Sequence, residues 1–366
     1  MVVGIAAVAV GGVLGALVLN GTGKISLSDN SSHEHASSSH SASSWSFSTL
    51  NNQNDPTFNQ LLGINNRGQI AGYFGSGAQG HPNKGYLLNL SGNSAWYANE
   101  NVPVSTQTQV TGLNDFGVTV GFSSNHNTAS MMNPNFGFYT WDGRFHLVNF
   151  PTGNNASPPV NQLLGVNDSG VAVGFYTDSK GNNHGYTYSI TRHRFRSIYI
   201  WGATSLTASA INNAGDIAGF FTNSAGVVKA FLLYPNGRVT TLAFRGATMT
   251  QAFGVNDSRE VVGTYTDGTG SAAKTFGFTW TSWGGWTTIS DPLGVGATTI
   301  NGVNNAGDLV GFYTDSAGNT DGLLWAASRH TVSFAPQVAQ SGTVTVTPAT
   351  SAGTTTSGST GAPHHW

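Results

Sequence analysis

Acidic and amide side chains recur in this sequence at turns whose composition resembles that of calcium-binding loops. The runs TDSKGNN, TDGTG and TDSAGNT place Asp178, Asp267 and Asp315 shortly before glycines, and Asn223 takes the equivalent place in a further run. Oxygen ligands suit Ca²⁺, but these runs lack the acid density and the terminal Glu of an EF-hand loop. Because Asp and Gly are also ordinary turn residues, we interpret these positions as turns. We predict no bound cofactor, with calcium as the alternative that the runs leave open.

Residues that could catalyse a reaction are few and form no known motif. Glycoside hydrolysis needs two carboxyl groups roughly 5–10 Å apart, yet the only Glu residues are Glu34, Glu100 and Glu260, and most Asp residues lie at turns. The sequence holds no G-x-S-x-G elbow, no HExxH pair and no P-loop. It therefore identifies no catalytic residue and favours a non-enzymatic role, although a site assembled in space would leave no linear pattern.

Composition restricts the function classes further. The 366 residues carry a net charge of −2, so no broad positive field recruits nucleic acid. Charged residues make up only 8% of the chain, and Gly, Ser, Thr and Asn supply the polarity instead. The absence of Cys excludes disulfides and thiol chemistry, so the fold must be held by its core.

A repeat of the form LLGVNDSGVAVGFY occurs six times in the chain, so the fold it builds must position any functional residues. The anchoring asparagines of the six copies lie 44 to 53 residues apart and are Asn65, Asn114, Asn167, Asn212, Asn256 and Asn304. A period of about 40–50 residues with strand-rich content is typical of propeller blades. Each copy contains four β-rich runs separated by turn signals, as in QLLGV, VAVGFYT, HGYTYSI and FRSIYIW of the third. We therefore predict an all-β fold, a six-bladed β-propeller of four-stranded antiparallel blades.

Two glycine columns indicate local constraints. The turn after each first strand ends in Gly in five copies, whereas the fifth copy has Arg259 there. We expect positive φ at this position, at a cost of about 1 kcal/mol for a non-glycine residue, so that Arg259→Gly would stabilise the fold. A second glycine lies within the second strand in all six copies, for example Gly174, and predicts a close backbone approach or a bend between blades.

The phrase G-[IVL]-N-x-x-G-x-[IV]-[AV]-G, followed by a turn and an x-[AG]-[FY] strand, resembles the HAF repeats of bacterial extracellular proteins. The third-strand matches are Lys84-Gly85-Tyr86, Phe136-Gly137-Phe138, His184-Gly185-Tyr186, Lys229-Ala230-Phe231, Phe276-Gly277-Phe278 and Asp321-Gly322-Leu323. The resemblance covers about residues 45–335. It implies an exported bacterial protein with a propeller-like fold, and it supplies no catalytic residues to carry over.

The ends of the chain differ in composition from the repeats. Residues 2–19 are uncharged and mostly apolar, so residues 1–23 are expected to be a signal peptide or an uncleaved membrane anchor, either of which exports the rest. Residues 24–44 form a Ser/His-rich linker, residues 45–337 the propeller and residues 338–366 a Ser/Thr/Gly-rich disordered tail. Two segments could close the ring as a final strand: Trp45–Leu50 and Thr331–Phe334.

Propeller geometry predicts where a ligand would lie. The connections between second and third strands and between consecutive blades share one face, and rigid scaffolds commonly carry binding residues on such loops. The candidate binding residues on that face are Asp178, Asn182, Asp267, Asp315, Asn319 and Trp201. We therefore predict an extracytoplasmic binding module, secreted or anchored at the cell surface, that presents this face to a glycan, a small molecule or a protein. A glycan hydrolase or lyase that uses loop acids and a structural surface component are the alternatives, and the sequence leaves the oligomeric state open.

Overall fold

The computed structural model describes residues 45–91, 94–126 and 134–327, and it is an all-β, propeller-like arrangement. The apolar segment 2–19, the Ser/His-rich linker, the run Thr331–Phe334 and the tail all lie outside these residues. The one helical element described is a short 3₁₀ turn, Gly270–Ala272. Within the described ranges, no helix has the length and apolar character needed to cross a membrane.

Each repeat forms one unit of four antiparallel strands, which we call a, b, c and d in order from the ring axis outwards. Unit 1 is β2 (Asn59–Ile64), β3 (Gln69–Phe74), β4 (Lys84–Ser91) and β5 (Ser94–Asn99). Unit 2 is β6 (Gln107–Leu113), β7 (Thr119–Ser124), β8 (Phe136–Trp141) and β9 (Arg144–Val148). Unit 3 is β10 (Asn161–Val166), β11 (Val171–Thr177), β12 (Asn183–Ser189) and β13 (Arg194–Ser197).

The second half of the chain repeats this pattern. Unit 4 is β14 (Ala203–Ile211), β15 (Ile217–Asn223), β16 (Val228–Leu233) and β17 (Val239–Leu242). Unit 5 is β18 (Met249–Val255), β19 (Val261–Asp267), β20 (Lys274–Thr281) and β21 (Gly285–Ile289). Unit 6 takes β22 (Thr298–Val303), β23 (Leu309–Thr314) and β24 (Thr320–Ala327) from the end of the chain and β1 (Trp45–Thr49) from its beginning.

The strand pairing departs from the prediction of six separate sheets. Four units are separate four-stranded sheets, whereas units 4 and 5 belong to one eight-stranded sheet. Their link is a single parallel pair, Val228 with Met249, at the point where β18 of unit 5 approaches β16 of unit 4. The structure therefore has four separate four-stranded sheets where six were predicted, because the edges of units 4 and 5 come close enough to hydrogen-bond.

The chain closes on itself through its N-terminal strand. β1 pairs antiparallel with β24 over five residues, from Trp45 opposite Ala327 to Thr49 opposite Leu323. Phe47 is buried and stacks on Trp325 with ring centroids 6.1 Å apart. The next residue after β1, Leu50, is fully buried, and its N–H donates to the carbonyl of Gly322. The N-terminal segment is therefore the strand d of unit 6.

Neighbouring units share apolar cores, which explains why the b strands are apolar on both faces. Leu309 and Val310 of β23 are adjacent and both fully buried, one in a cluster with unit 5 and the other in a cluster with unit 1. A strand covered on both faces reads as a continuous apolar run. Each unit thus buries its faces against the units before and after it.

Glycines permit one close approach within every unit and, in five of the six, a second approach to the next unit, where unit 4 has Ala210 instead. A Cβ on Gly174 would collide with the carbonyl oxygen of Gln162 in strand a, so the predicted close approach is confirmed, and it lies within the unit. Strand a carries a bulge just before its anchoring asparagine in all six units. A Cβ on Gly112 of that strand would lie 2.7 Å from the Leu164 carbonyl of the next unit. Small residues there allow the six a strands to meet around the axis.

A closed ring of hydrogen bonds joins the six turns between strands a and b. In each unit the amide nitrogen of the anchoring asparagine donates to the main-chain carbonyl of the corresponding asparagine in the next unit. The donor–acceptor pairs are Asn65–Asn114, Asn114–Asn167 and Asn167–Asn212 at 3.1 Å each, Asn212–Asn256 at 3.0 Å, Asn256–Asn304 at 3.1 Å and Asn304–Asn65 at 3.4 Å. All six side chains are buried. The Oδ1 of each also accepts main-chain N–H groups of its own turn, as Asn167 does from Val171.

Replacing one ring asparagine by aspartate should separate the two roles of its side chain. Asn167→Asp keeps the acceptor of the turn but removes the donor to Asn212 and buries a charge. We expect a loss of about 2–3 kcal/mol in the free energy of unfolding by urea denaturation. Asn223→Asp is the matched control, because Asn223 caps a b–c turn with the same acceptor and aspartates hold that position in units 3 and 6. An equal loss in both variants would show that the inter-unit donor is unimportant.

Shortening the chain tests the closing strand. A chain that begins at Ser44 keeps β1, whereas one that begins at Asn51 lacks it and leaves the edge of β24 unpaired. Loss of the burial of Phe47 and Leu50 should lower stability by about 3–6 kcal/mol, measured by denaturation of the two chains side by side. Equal melting of both chains would mean that another segment can act as strand d of unit 6.

Candidate functional site

The connections of the ring emerge on two faces. The a–b and c–d turns lie on one side, which we call the Asn face after the asparagine ring, and the b–c and d–a connections lie on the other, the loop face. The six candidate binding residues predicted from sequence all belong to the loop face. Asp178 and Asn182 lie in the b–c turn of unit 3, Asp267 in that of unit 5, Asp315 and Asn319 in that of unit 6, and Trp201 between units 3 and 4.

The structure gives most of these side chains a role within their own turns. Oδ1 of Asp178 accepts the main-chain N–H groups of Lys180 and Asn182 at 2.8 and 2.9 Å. Asp315 binds the N–H groups of Ala317 and Asn319 in the same way, and the amide of Asn319 donates to its second oxygen at 2.9 Å. The structure therefore brings together Asp178 with Asn182 and Asp315 with Asn319. Among the described contacts, none links these pairs to each other.

Trp201 and Asp267 are not held in this way. Trp201 is 84% exposed and its neighbour Tyr199 is 78% exposed, so both rings face solvent on the loop face. Asp267 ends β19 and is exposed at the turn before the 3₁₀ element. A ligand-binding role for these six residues stays a prediction.

Carboxyl groups of the loop face differ in their proton affinity. Burial raises the pKa of Asp178, but hydrogen bonds from His184 and from the turn outweigh this effect and lower its pKa to about 2. Burial raises the pKa of Asp291 to about 6, helped by the nearby charge of Asp321. A carboxyl group with a pKa near neutrality suits general acid–base chemistry. Asp291 and Asp321 are, however, only 5% and 7% exposed, so a substrate has little access to them.

At the axis, the Asn face carries a shallow polar mouth of about 70 Å³. The residues after the ring asparagines form a second cyclic set, in which each main-chain N–H donates to the side-chain oxygen of the next member. The members are Asn66, Asp115, Asp168, Asn213, Asp257 and Asn305. Over the described ranges, no group of three carboxylate or imidazole side chains is arranged to hold a metal ion. The oxygens of this mouth instead accept hydrogen bonds from neighbouring units.

A cleft of about 360 Å³ lies between units 4 and 5 on the Asn face. Three turns form it: the c–d turn of unit 4, the a–b turn of unit 5 and the c–d turn of unit 5. We call it the Arg259 cleft, and its lining residues are Tyr234, Arg238, Thr240, Asp257, Ser258, Arg259, Trp280, Ser282 and Trp283.

Arg259 is the residue that departs from the repeat. Its φ is +62°, which confirms the expected left-handed conformation, and the turn glycines of the other five copies have φ between +69° and +83°. Strained residues of this kind persist where the surrounding structure holds them. Nε of Arg259 donates to Oδ2 of Asp216 in unit 4 at 2.8 Å, and Asp216 is fully buried. This hydrogen bond and the carboxylate charge raise the pKa of Arg259, so its guanidinium stays charged.

Aromatic rings complete the cleft. The guanidinium carbon of Arg238 lies 3.9 Å from the ring centroid of Tyr234, and that of Arg259 lies 5.3 Å from the same centroid. Tyr234 and Trp280 are buried, whereas Trp283 is 73% exposed at the rim. The cleft thus combines two cations, one exposed indole and several hydroxyl groups. Planar groups of this type suit a ligand with both apolar faces and polar edges.

The sequence identified Arg259 as unusual, but predicted only that it would lower the stability of the fold. The signal in the sequence was the missing glycine. Five repeats have Gly at the end of this turn, where positive φ is required, and the fifth repeat has Arg259 there instead. Tyr234, Arg238 and Trp283 occupy no repeated column, so nothing in the linear order connects them. Their convergence follows from the meander, which places c–d turns beside a–b turns.

The ion pair reverses the expectation that Arg259→Gly would stabilise the fold. Relief of the left-handed strain gains about 1 kcal/mol, but the change leaves the buried Asp216 carboxylate without its cation. We expect a net loss of about 1–2 kcal/mol in denaturation experiments, moderated because Arg259 is half exposed.

A double variant supplies the control for this prediction. Val118 and Val171 occupy the position of Asp216 in repeats 2 and 3, so Asp216→Val with Arg259→Gly restores a combination that the chain uses elsewhere. The double variant should recover at least the wild-type stability. A single Arg259→Gly variant that is more stable than wild type would contradict the importance of the ion pair.

Comparisons with known proteins give distant likenesses only. No protein family and no curated protein matches the chain. A mutant of the Aleuria aurantia lectin AAL, solved with Fucalpha1-6GlcNAc, is 11% identical over 80% of this chain and 96% of its own, with a TM-score of 0.45. A mutant of AofleA from Arthrobotrys oligospora is 11% identical over 78% and 88%, with a TM-score of 0.45. An ulvan lyase, described as a new family of polysaccharide lyase, is 11% identical over 75% and 80%, with a TM-score of 0.40.

Proposed function

We propose that this chain is an exported carbohydrate-binding module, a six-bladed propeller of the HAF-repeat type whose sugar site is the Arg259 cleft. The proposal has three parts, namely the number of blades, the export of the chain and the ligand of the cleft. The arrangement of the cleft carries the third part, and the other two rest on the repeats and on the apolar segment.

The count of six blades is supported by the units themselves. The eight-stranded sheet consists of two four-stranded antiparallel units that meet at one residue pair, so each unit is a blade with a brief edge contact. The asparagine ring supports the same count, since it has six members and its last bond returns to Asn65. A closed ring also fits the strand d that β1 supplies to unit 6.

Export and membership of the HAF-repeat proteins rest on the sequence. The apolar residues 2–19 precede a polar linker, a layout typical of a signal peptide or an anchor. The six copies of the phrase G-[IVL]-N-x-x-G-x-[IV]-[AV]-G and the third-strand matches support the resemblance. The lack of Cys and the low content of charged residues are compatible with an exported protein.

The Arg259 cleft favours a sugar because it pairs an exposed indole with fixed hydrogen-bonding groups. Pyranose rings have apolar faces of C–H groups and edges of hydroxyl groups, and binding sites for small molecules combine apolar surface with a few placed polar groups. Trp283 can cover such a face, while Arg238 and the hydroxyl groups of Ser258 and Ser282 can meet the edges. The volume of about 360 Å³ lies in the range of small-molecule sites.

Binding to immobilised polysaccharides tests the proposal. An array of neutral and acidic plant, fungal and bacterial polysaccharides should identify at least one ligand for a chain that begins at Ser44. Trp283→Ala should then weaken binding at least tenfold without a change in melting temperature, because this side chain is exposed and contributes little to the core.

Two further tryptophan variants locate the site. Trp141 is 47% exposed at the c–d turn of unit 2, on the same face but away from the cleft, so Trp141→Ala should leave binding unchanged. Trp201→Ala tests the loop face. Loss of binding in Trp201→Ala with full binding in Trp283→Ala would move the site to the loop face, and an array without any ligand would overturn carbohydrate binding itself.

A further inference from the structure

The charges of the Arg259 cleft are unequally balanced. Arg259 is paired with the buried Asp216. Asp257, at the inner edge of the cleft, accepts the main-chain N–H of Asn213 at 2.8 Å and side-chain amides of Asn213 and Asn305 at 3.1 and 2.7 Å. Its carboxylate is thus engaged by the axial ring. In the part of the chain that the structure describes, Arg238 forms no ion pair, so it supplies the uncompensated cation.

The turn that carries Arg238 holds it in one place. The main-chain N–H of Arg238 donates to Oδ1 of Asn236 at 3.0 Å, and its carbonyl accepts the N–H of Tyr234 at 2.8 Å. The guanidinium stacks on the Tyr234 ring at 3.9 Å while the side chain remains exposed. A guanidinium stacked on an aromatic ring by its flat face leaves the N–H groups along its edge free to donate. Two of these donors are parallel and match the two oxygens of a carboxylate.

Resting on the proposed carbohydrate site, we infer that its ligand is an acidic sugar whose carboxylate binds the edge of Arg238 while its ring covers Trp283. A neutral sugar would provide no negative charge to pair with the Arg238 guanidinium. The buried Asp216 holds Arg259 beside the same tyrosine and balances its charge, so Arg238 is the cation that the cleft offers to a ligand. The chemical class is therefore a uronic acid residue within a polysaccharide.

A matched pair of polymers tests the inference. Polygalacturonate and the same polymer after reduction of its carboxyl groups differ only in the group that Arg238 would bind. We expect the wild-type protein to bind the acidic polymer at least tenfold more tightly than the reduced one by isothermal titration calorimetry. Arg238→Gln should weaken binding of the acidic polymer about 10- to 100-fold, the size expected for hydrogen bonds to a charged group. It should weaken binding of the reduced polymer much less, so that most of the preference for the acidic polymer is lost.

Controls separate the inference from the proposal on which it rests. Arg192 lies in the c–d turn of unit 3, exposed on the same face, so Arg192→Gln should have no effect. Equal binding of the acidic and reduced polymers would overturn the acidic ligand while carbohydrate binding stands. Preference for a sulfated polymer without carboxylates would also overturn it. Failure of every polysaccharide to bind would overturn the proposed function as well.

Discussion

The hydrogen bond from each anchoring asparagine to the next unit is the interaction on which the architecture depends. A single side chain uses its oxygen to cap its own turn and its nitrogen to hold the neighbouring backbone, so the shape of one turn is tied to the position of the next. Buried amides that are satisfied on both sides specify a unique arrangement, because a rotated neighbour would leave a polar group without a partner. Repeated six times, this link fixes the radius of the ring, and the strand a glycines make that radius small enough for the bonds to form.

Once the inner ring is fixed, variation is tolerated at the turns that surround it. The position four residues after the anchor is Gln69 in one unit, Val118 in another and Asp216 in a third, and the ring is the same in each. Arg259 shows how such variation can create a site. Its backbone keeps the conformation that glycine has elsewhere, while its side chain crosses to the preceding unit and closes one wall of a cleft. Function in a symmetric scaffold is thus expected where one copy departs from the others.

Much of the fold was accessible from the sequence, because the repeats report the same local constraint six times. Comparing equivalent positions in the six repeats predicted the anchor at Asn167, the positive φ at Gly170 and the close approach at Gly174. The sequence offered two candidates for the strand that closes the ring, Trp45–Leu50 and Thr331–Phe334, and the first of them pairs with β24 as β1. The parallel contact of Val228 with Met249 could not be predicted, because one hydrogen-bonded pair between two sheet edges leaves no pattern in the sequence. The residues of the cleft were also hidden: Tyr234, Arg238 and Trp283 lie in turns of different length, and only the meander brings them together. The loop-face acids were readable as turn residues, and the capping bonds of Asp178 and Asp315 support that interpretation.

The pairing of β1 with β24 has a consequence for the order of the chain. Trp45, the first residue of β1, lies directly opposite Ala327, the last residue of β24, on adjacent antiparallel strands. Adjacent strands are about 4.8 Å apart, so two residues are enough to join such ends as a hairpin. The ring therefore has no inherent beginning, and the break in the covalent backbone occupies a place where every other unit has a c–d turn. A circularly permuted chain with this hairpin closed could be opened at another c–d turn and retain all of its inter-unit contacts.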